Sequence, residues 1–323
     1  MTIKKSFGYL GTQTFVLWAL SCPVWAASEA PCKSTLVGDL RIEKLQSKTY
    51  SEEITIRVWL PAGYNEAANA QSKYPTLYMF DGQTLFDECT AFHGEHELKV
   101  DETLTRLIAE HRVPPMIVVG IDSTIHRSHE YRPFPDIIGD PKAPPPIGRQ
   151  LSSFLAEDVI PFVTGRYRIT SDSAHTGIGG TSLGGAAALY VAVNRPDLFR
   201  LALLESPTLI LGNGQILRDT MHLARTPDRV AIGFGSTELH FSGIEGYLAP
   251  VGLTEQDADA GGVDMANALA SNLERAYLKR SAVCLTIQPG ANHSSESWAF
   301  RIPDALVFLY SDAPKCERTR SGP

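Results

Sequence analysis

The 323-residue chain has no Cys-x-x-Cys pair, no His-Glu-x-x-His, no block of basic residues and no apolar run long enough to span a bilayer. The first absence argues against a zinc ribbon or a dithiol redox motif, and the second against a helical zinc-protease site. The third, with a net charge of −7, makes nucleic acid and anionic membranes poor partners. The fourth leaves no segment of transmembrane-helix length. No internal repeat or linker divides the chain. With 43% apolar residues, the length suffices for one large core.

What is present starts at the N-terminus. Lys4 and Lys5 precede a short apolar stretch centred on Phe15 to Leu20, and Val24-Trp25-Ala26-Ala27 follows. A positive n-region, a short h-region and small residues at a cleavage site describe a secretory signal peptide, residues 1–27, with cleavage after Ala26 or Ala27. A retained anchor is the alternative. Removing two lysines and no acids takes the net charge from −7 to about −9, so no membrane contact is expected after cleavage. The remaining 28–323 read as one domain. It keeps Cys32, Cys89, Cys284 and Cys316, an even number that fits up to two disulfides in an exported, periplasmic or secreted protein. Three connectivities are open. Cys284, in the last core strand, with Cys316, just past the final helix, is the preferred pair, which leaves Cys32 with Cys89.

Along the chain, Leu40–Glu43 and Ile54–Leu60 alternate like two antiparallel strands joined by a polar turn. Thr76–Phe80 and Met116–Ile121 are apolar runs of the kind buried on both faces of a sheet, and His175–Ile178, Leu201–Leu204, Val230–Phe234 and Val283–Ile287 also read as strands. Helix-like stretches fall between them at Asp101–Ala109, Leu151–Val163, Ala186–Asn194 and Met265–Lys279, and Ile302–Tyr310 closes the chain. This alternation implies an α/β fold: a doubly wound, mostly parallel sheet with antiparallel strands at its N-terminal edge. Two irregular pieces interrupt it. Arg132–Gly148 carries six prolines, and Leu239–Gly262 is rich in Gly, Asp and Ala. Both follow strand ends, where the walls or lids of a cleft are expected in such sheets; solvent-exposed filler is the alternative for the second piece.

The most informative stretch is Gly179-Gly180-Thr181-Ser182-Leu183-Gly184-Gly185. It joins a strand-like run to a helix-like one. A Gly-x-Ser-x-Gly turn at that junction is so tight that its flanks must be small, and it lifts the serine above the sheet edge. Ser182 is therefore the expected nucleophile, and the Leu183 N–H at the helix start is an oxyanion donor. In sheets that carry such an elbow, the chain order is serine, acid, histidine. Of nine histidines, only His293, in Pro289-Gly290-Ala291-Asn292-His293, lies between the last core strand and the last helix. It is the expected general base. The acid should follow the preceding strand, where Glu238 is best placed; Glu245, Asp257, Asp259 and Asp264 remain open. The second oxyanion donor should come from Asp81-Gly82-Gln83, with the Gln83 N–H preferred over that of Gly82.

Other clusters point to less. His93-Gly94-Glu95-His96 and His126-x-x-His129-Glu130 lack helical metal-ligand spacing, so no metal and no cofactor is expected. Trp298 and Tyr131 read as packing residues.

Taken together, the motifs resemble the putative-esterase branch of the α/β-hydrolases. That branch includes enterobactin-type siderophore esterases, feruloyl and acetylxylan esterases, S-formylglutathione hydrolases and mycolyltransferases. The likeness runs from about Ile54 to Tyr310. It rests on Tyr78-Met79-Phe80-Asp81-Gly82-Gln83-Thr84-Leu85-Phe86-Asp87, Val100-Asp101-Glu102-Thr103, Val119-Gly120-Ile121-Asp122 and Arg127-Ser128-His129-Glu130-Tyr131. The elbow, Pro196-Asp197-Leu198-Phe199, Gly290-Ala291-Asn292-His293 and Trp298 complete it. The resemblance implies an α/β-hydrolase sheet, Ser182 as nucleophile and His293 as base. Gly235-Ser236-Thr237-Glu238 is similar to the loop that carries the acid in some members, whereas others work with a serine–histidine pair alone. Glu205-Ser206-Pro207 also resembles a family segment, with no evident chemistry.

The expectation is a serine esterase acting on a small-molecule or carbohydrate-linked ester. An acyltransferase of mycolyl type, a siderophore trilactone esterase and a non-enzymatic binding protein on the same fold are the alternatives.

Overall fold

Alternating apolar and polar residues from Asp39 onward build the first two strands, and apolar runs such as Thr76–Phe80 and Ile117–Ile121, buried at every position, build the middle of the sheet. The computed structural model describes residues 32–92, 95–135, 144–238, 254–276, 282–312 and 316; the proposed signal segment, 1–27, lies outside them. Residues 33–323 form one compact unit. Its strands are β1 (Asp39–Gln46), β2 (Glu53–Leu60), β3 (Thr76–Phe80), β4 (Ile117–Ile121), β5 (Thr176–Thr181), β6 (Leu201–Glu205), β7 (Arg229–Gly235) and β8 (Ala282–Gln288). They form one sheet in the order β1-β2-β4-β3-β5-β6-β7-β8. β1 and β2 pair antiparallel, as do β2 and β4, and every other pair is parallel. This is the doubly wound α/β sheet with an antiparallel N-terminal edge that the sequence pattern implied.

The order reverses where β5 returns to pair with β3 on the side away from β4. At such a switch point the strand ends leave a crevice in which ligands bind. Here the two carboxyl ends carry Asp81-Gly82-Gln83 and Ser182.

The period of two in a strand sends neighbouring side chains of β3 to opposite faces. Tyr78 and Phe80 pack in one core with Ala186, Ala187 and Leu189 of the helix Ser182–Asn194. Leu77 and Met79 pack in the other with Trp298, Ile302 and Leu306 of the helix Ser295–Tyr310. The first of these helices lies against β3, β5 and β6, and the second, on the other face, mainly against β6 and β7. Among the described residues, no helix is long and apolar enough to cross a membrane.

Two expectations need correction. The helix expected over Met265–Lys279 begins ten residues earlier, as Glu255–Glu274, so the last part of the supposedly irregular Leu239–Gly262 is helical. A reciprocal capping box starts it, in which Thr254 accepts from the Asp257 N–H and Asp257 accepts from the Thr254 N–H. Gly262 fits because its missing side chain makes room for Phe234. Residues 239–253 and 277–281 lie outside the described residues, as do 136–143 of the proline-rich piece. The last helix also starts earlier, at Ser295 behind the cap Ser294, and runs through Pro303. Leu211–Arg218, to which the sequence pattern assigns no element, is helical around a break at Gly212, Asn213 and Gly214, which all have positive φ.

Cys284 and Cys316 are joined in a disulfide, and Cys32 and Cys89 are disulfide-bonded as well. The Cys284–Cys316 bridge ties the last described residue to the sheet. Replacing both cysteines by serine is expected to lower stability by roughly 2–5 kcal/mol, read from urea unfolding. An unchanged unfolding free energy would contradict that role.

Near the N-terminal edge, Asp101 is completely buried and accepts the Val37 N–H at 2.6 Å. Burial pushes its carboxyl up to about 8, with Glu102 adding to the rise. Folding thus favours the protonated form over the ordinary value of about 4. The stability this adds is fully present below the ordinary value and is lost as pH rises through about 8. Asp101→Asn keeps an acceptor for Val37 and removes the titration. Its unfolding free energy should fall less between pH 5 and pH 9 than that of the unmodified protein; equal falls would contradict the assignment.

Candidate active site

The elbow follows from the residues that surround it. β5 ends at Thr181 and the helix starts at Ser182 itself, which has a φ of +55°. A left-handed conformation is costly for a residue with a side chain and persists only where its surroundings enforce it. At Gly180 a Cβ would run into the backbone of Gly184, and at Gly184 it would lie 2.6 Å from Asp81 Oδ2 and 3.3 Å from Phe80 Cβ. The small flanks therefore let the helix start sit directly against the loop after β3.

That loop is itself fixed by contacts. Asp81 has a φ of +60° and leads into a single 3-10 turn, Gly82–Thr84. A Cβ on Gly82 would lie 2.6 Å from the Gly120 carbonyl carbon, so the turn packs on β4. The Gln83 side chain donates to Ser123 Oγ at 2.7 Å and accepts the Ser123 N–H at 3.1 Å. Asp81, buried, accepts two hydrogen bonds of 2.7 Å from Arg127, whose guanidinium also lies over the rings of Phe92 and Tyr131. The candidate oxyanion segments, Gly82–Gln83 and Leu183, thus lie on neighbouring elements at the same sheet edge.

The loops after β7 and β8 are stitched to each other. Ser236 N–H donates to the Gln288 carbonyl at 3.0 Å, and the Thr237 N–H and hydroxyl both donate to the Ala291 carbonyl. The Gly290 N–H donates to Ser236 Oγ at 2.8 Å. These bonds hold Glu238 and His293 beside each other although 55 residues separate them. His293 Nδ1 lies 2.6 Å from Glu238 Oε2, and its Nε2 lies 2.8 Å from Ser182 Oγ. Trp298 meets the imidazole edge to face, with ring centroids 5.0 Å apart.

Glu238 is 2% exposed. Burial alone would push its carboxyl up. The His293 contact, the Ser206 hydroxyl at 2.6 Å and the Gly235 N–H outweigh that and hold it below the ordinary carboxylate range. A buried carboxylate so solvated by donors stays ionised and can stabilise an imidazolium.

The other acids expected as alternatives sit elsewhere. Asp257 is spent in the capping box, Asp259 is buried and Asp264 exposed along the same helix, and Glu245 lies outside the described residues. Of the histidine clusters, His96 contacts Glu88 at 2.6 Å, and His93 lies outside the described residues. Among the described residues, the one group spaced to hold a metal ion is Glu97, Asp101 and Glu102, with no histidine in it. Sequence reasoning missed Ser206. Its signals were the likeness of Glu205-Ser206-Pro207 to a family segment and its position at the end of β6, on the same sheet edge.

Ser182 and His293 open onto a cleft of about 520 Å³, with Phe92, Glu95, His96, Arg127 and Glu296 in its walls.

The family profile described as Putative esterase matches residues 47–238. The uncharacterized protein YbbA of Bacillus subtilis is 22% identical over 261 residues, which cover 78% of this chain and 91% of that protein. The ferri-bacillibactin esterase BesA of Bacillus subtilis is 26% identical over 186 residues, 52% of this chain and 61% of BesA. The solved structure of the siderophore hydrolase EstB from Aspergillus nidulans superposes with a TM-score of 0.63 at 19% identity, covering 86% of this chain and 98% of EstB. With more than half its length matched by the profile, the chain belongs to the putative-esterase family and is a carboxylic ester hydrolase.

Proposed function

We propose that the protein cleaves esters through an acyl-enzyme on Ser182, with His293 as general base and Glu238 as the acid that orients it. The observation that carries this reading is the unbroken line of contacts from Ser182 Oγ through His293 to Glu238, at 2.8 and 2.6 Å. Ser182 Oγ attacks the ester carbonyl carbon while its proton passes to His293 Nε2. The oxyanion of the tetrahedral intermediate is met by the N–H of Leu183 and by that of Gln83 or Gly82. Collapse breaks the ester C–O bond, and the alcohol leaves with the proton from Nε2. Water then attacks the acyl-enzyme, gives a proton to Nε2, and Ser182 recovers it as the acid departs. Glu238 stays ionised throughout and stabilises the imidazolium.

Hydrolysis is favoured over transfer to another alcohol, because the His293 side chain is 33% exposed and water reaches it. The substrate is a small-molecule or carbohydrate-linked ester. A siderophore ester is a second reading, supported by the names of BesA and EstB. Residues 28–323 act as one exported domain, periplasmic or secreted, supported by the disulfides at Cys284–Cys316, Cys32 and Cys89. The test offers p-nitrophenyl esters, feruloyl, acetylated-sugar and trilactone substrates, each with and without an added alcohol. At least one is expected to turn over with free acid as the main product. No hydrolysis of any, or acyl transfer as the main product, would overturn the reading.

A further inference from the structure

We propose that Ser206, held by Trp298 and Arg301, sets the proton order of the Glu238–His293 pair and so fixes the His293 tautomer able to accept a proton from Ser182. This rests on the serine-esterase reading above. A hydroxyl has one proton to give and two lone pairs. Ser206 Oγ receives the Trp298 indole N–H at 2.9 Å and an Arg301 guanidinium N–H at 3.1 Å. Neither partner can accept a hydrogen bond, and arginine does not give up its proton in a protein. Both lone pairs are therefore taken, and the Ser206 proton goes to its remaining neighbour, Glu238 Oε1, at 2.6 Å.

The same oxygen also accepts the Gly235 N–H. With two donors on Oε1, that oxygen has no place for a proton of its own. Oε2 faces His293 Nδ1, so Nδ1 must carry hydrogen for that contact to be a bond to a carboxylate. The free lone pair of the imidazole is then on Nε2, 2.8 Å from Ser182 Oγ. With Glu238 held ionised by its donors, proton directions propagate from two obligate donors to the base.

Arg301 is anchored to serve this arrangement. Its Nε donates to Glu205 Oε2 at 2.7 Å and its Nη1 to Gln288 Oε1 at 2.9 Å. The side chains of Arg301, Glu205 and Glu238 are at most 2% exposed, and Arg301 Nη2 stands 4.0 Å from Glu238 Oε1. Ser206 is thus a positioning residue, acting through Glu238. It does not line the cleft that holds Ser182, so it should leave substrate binding alone.

The experiment is ester hydrolysis by Ser206→Ala across pH, beside Ser182→Ala. Ser206→Ala is expected to lower kcat about 10- to 100-fold, the worth of one hydrogen bond to a charged group, with KM little changed. The Ser206 hydroxyl is one of the donors that hold the Glu238 carboxyl down, so its loss makes the carboxylate more basic and the acid limb of kcat/KM should move to higher pH. Unchanged kcat, or a lower kcat with the limb unmoved, would overturn the proposal. If Ser182→Ala is inactive in that case, the serine-esterase reading still stands; an active Ser182→Ala would remove that reading itself. Should Ser206→Ala fail to fold, nitrogen-15 NMR of histidine in the unmodified protein decides. A His293 proton on Nδ1 at neutral pH supports the proposal, and one on Nε2 overturns it.

Discussion

Purified Ser182→Ala protein is expected to fold as the unmodified chain does and to hydrolyse its best ester about 10³- to 10⁶-fold more slowly. The hydroxyl removed is the one 2.8 Å from His293 Nε2, and alanine tolerates the φ of +55° about as well as serine does. His293→Ala should lose a comparable factor. The informative result is the double variant. Nucleophile and base act as one unit, so removing both should be scarcely worse than removing either. Multiplying losses would mean that each residue helps catalysis independently, and near-normal rates in Ser182→Ala would end the account. Circular dichroism and urea unfolding of each variant separate lost chemistry from lost fold.

Glu238→Gln is expected to reduce kcat by a factor between about 10² and 10⁴ while Ser182 stays in place. The amide keeps the volume of the buried side chain but cannot hold a negative charge against an imidazolium. An amide N–H pointed at Nδ1 would also favour the wrong tautomer. The pH–rate profile should change with it, because the carboxylate that Glu238 keeps ionised among its donors would no longer face Nδ1 at 2.6 Å. Asp264→Asn, exposed on its helix, and Glu245→Gln serve as controls that should keep full activity. If one of them loses activity and Glu238→Gln does not, the acid is elsewhere. If none of the three matters, the site runs on Ser182 and His293 alone.

The parts of this site legible in the sequence are those imposed by local geometry. The glycines around Ser182 announce themselves because Gly180 and Gly184 sit where a Cβ has no room. The strands are legible because β3 and β4 are buried at every position and so read as unbroken apolar runs. Glu238 could be reached only through chain order and the likeness of Gly235–Glu238 to a family loop, since nothing near it reports that His293 will arrive 55 residues later. Ser206, Trp298 and Arg301 were not legible as a group. Their hydrogen bonds bridge 32, 92 and 95 residues, and each residue alone reads as packing or a surface polar group. The early start of the helix Glu255–Glu274 was hidden for another reason. Gly261 and Gly262 look like loop residues, whereas the capping box at Thr254 and Asp257 outweighs their low helix propensity.

The most direct test of the central claim is to treat the protein with a fluorophosphonate probe and map the adduct by peptide mass spectrometry. One adduct is expected, on the peptide that contains Ser182, formed by the unmodified protein, lost in Ser182→Ala and greatly slowed in His293→Ala. No adduct on the active protein, or an adduct on another serine that survives Ser182→Ala, would contradict it.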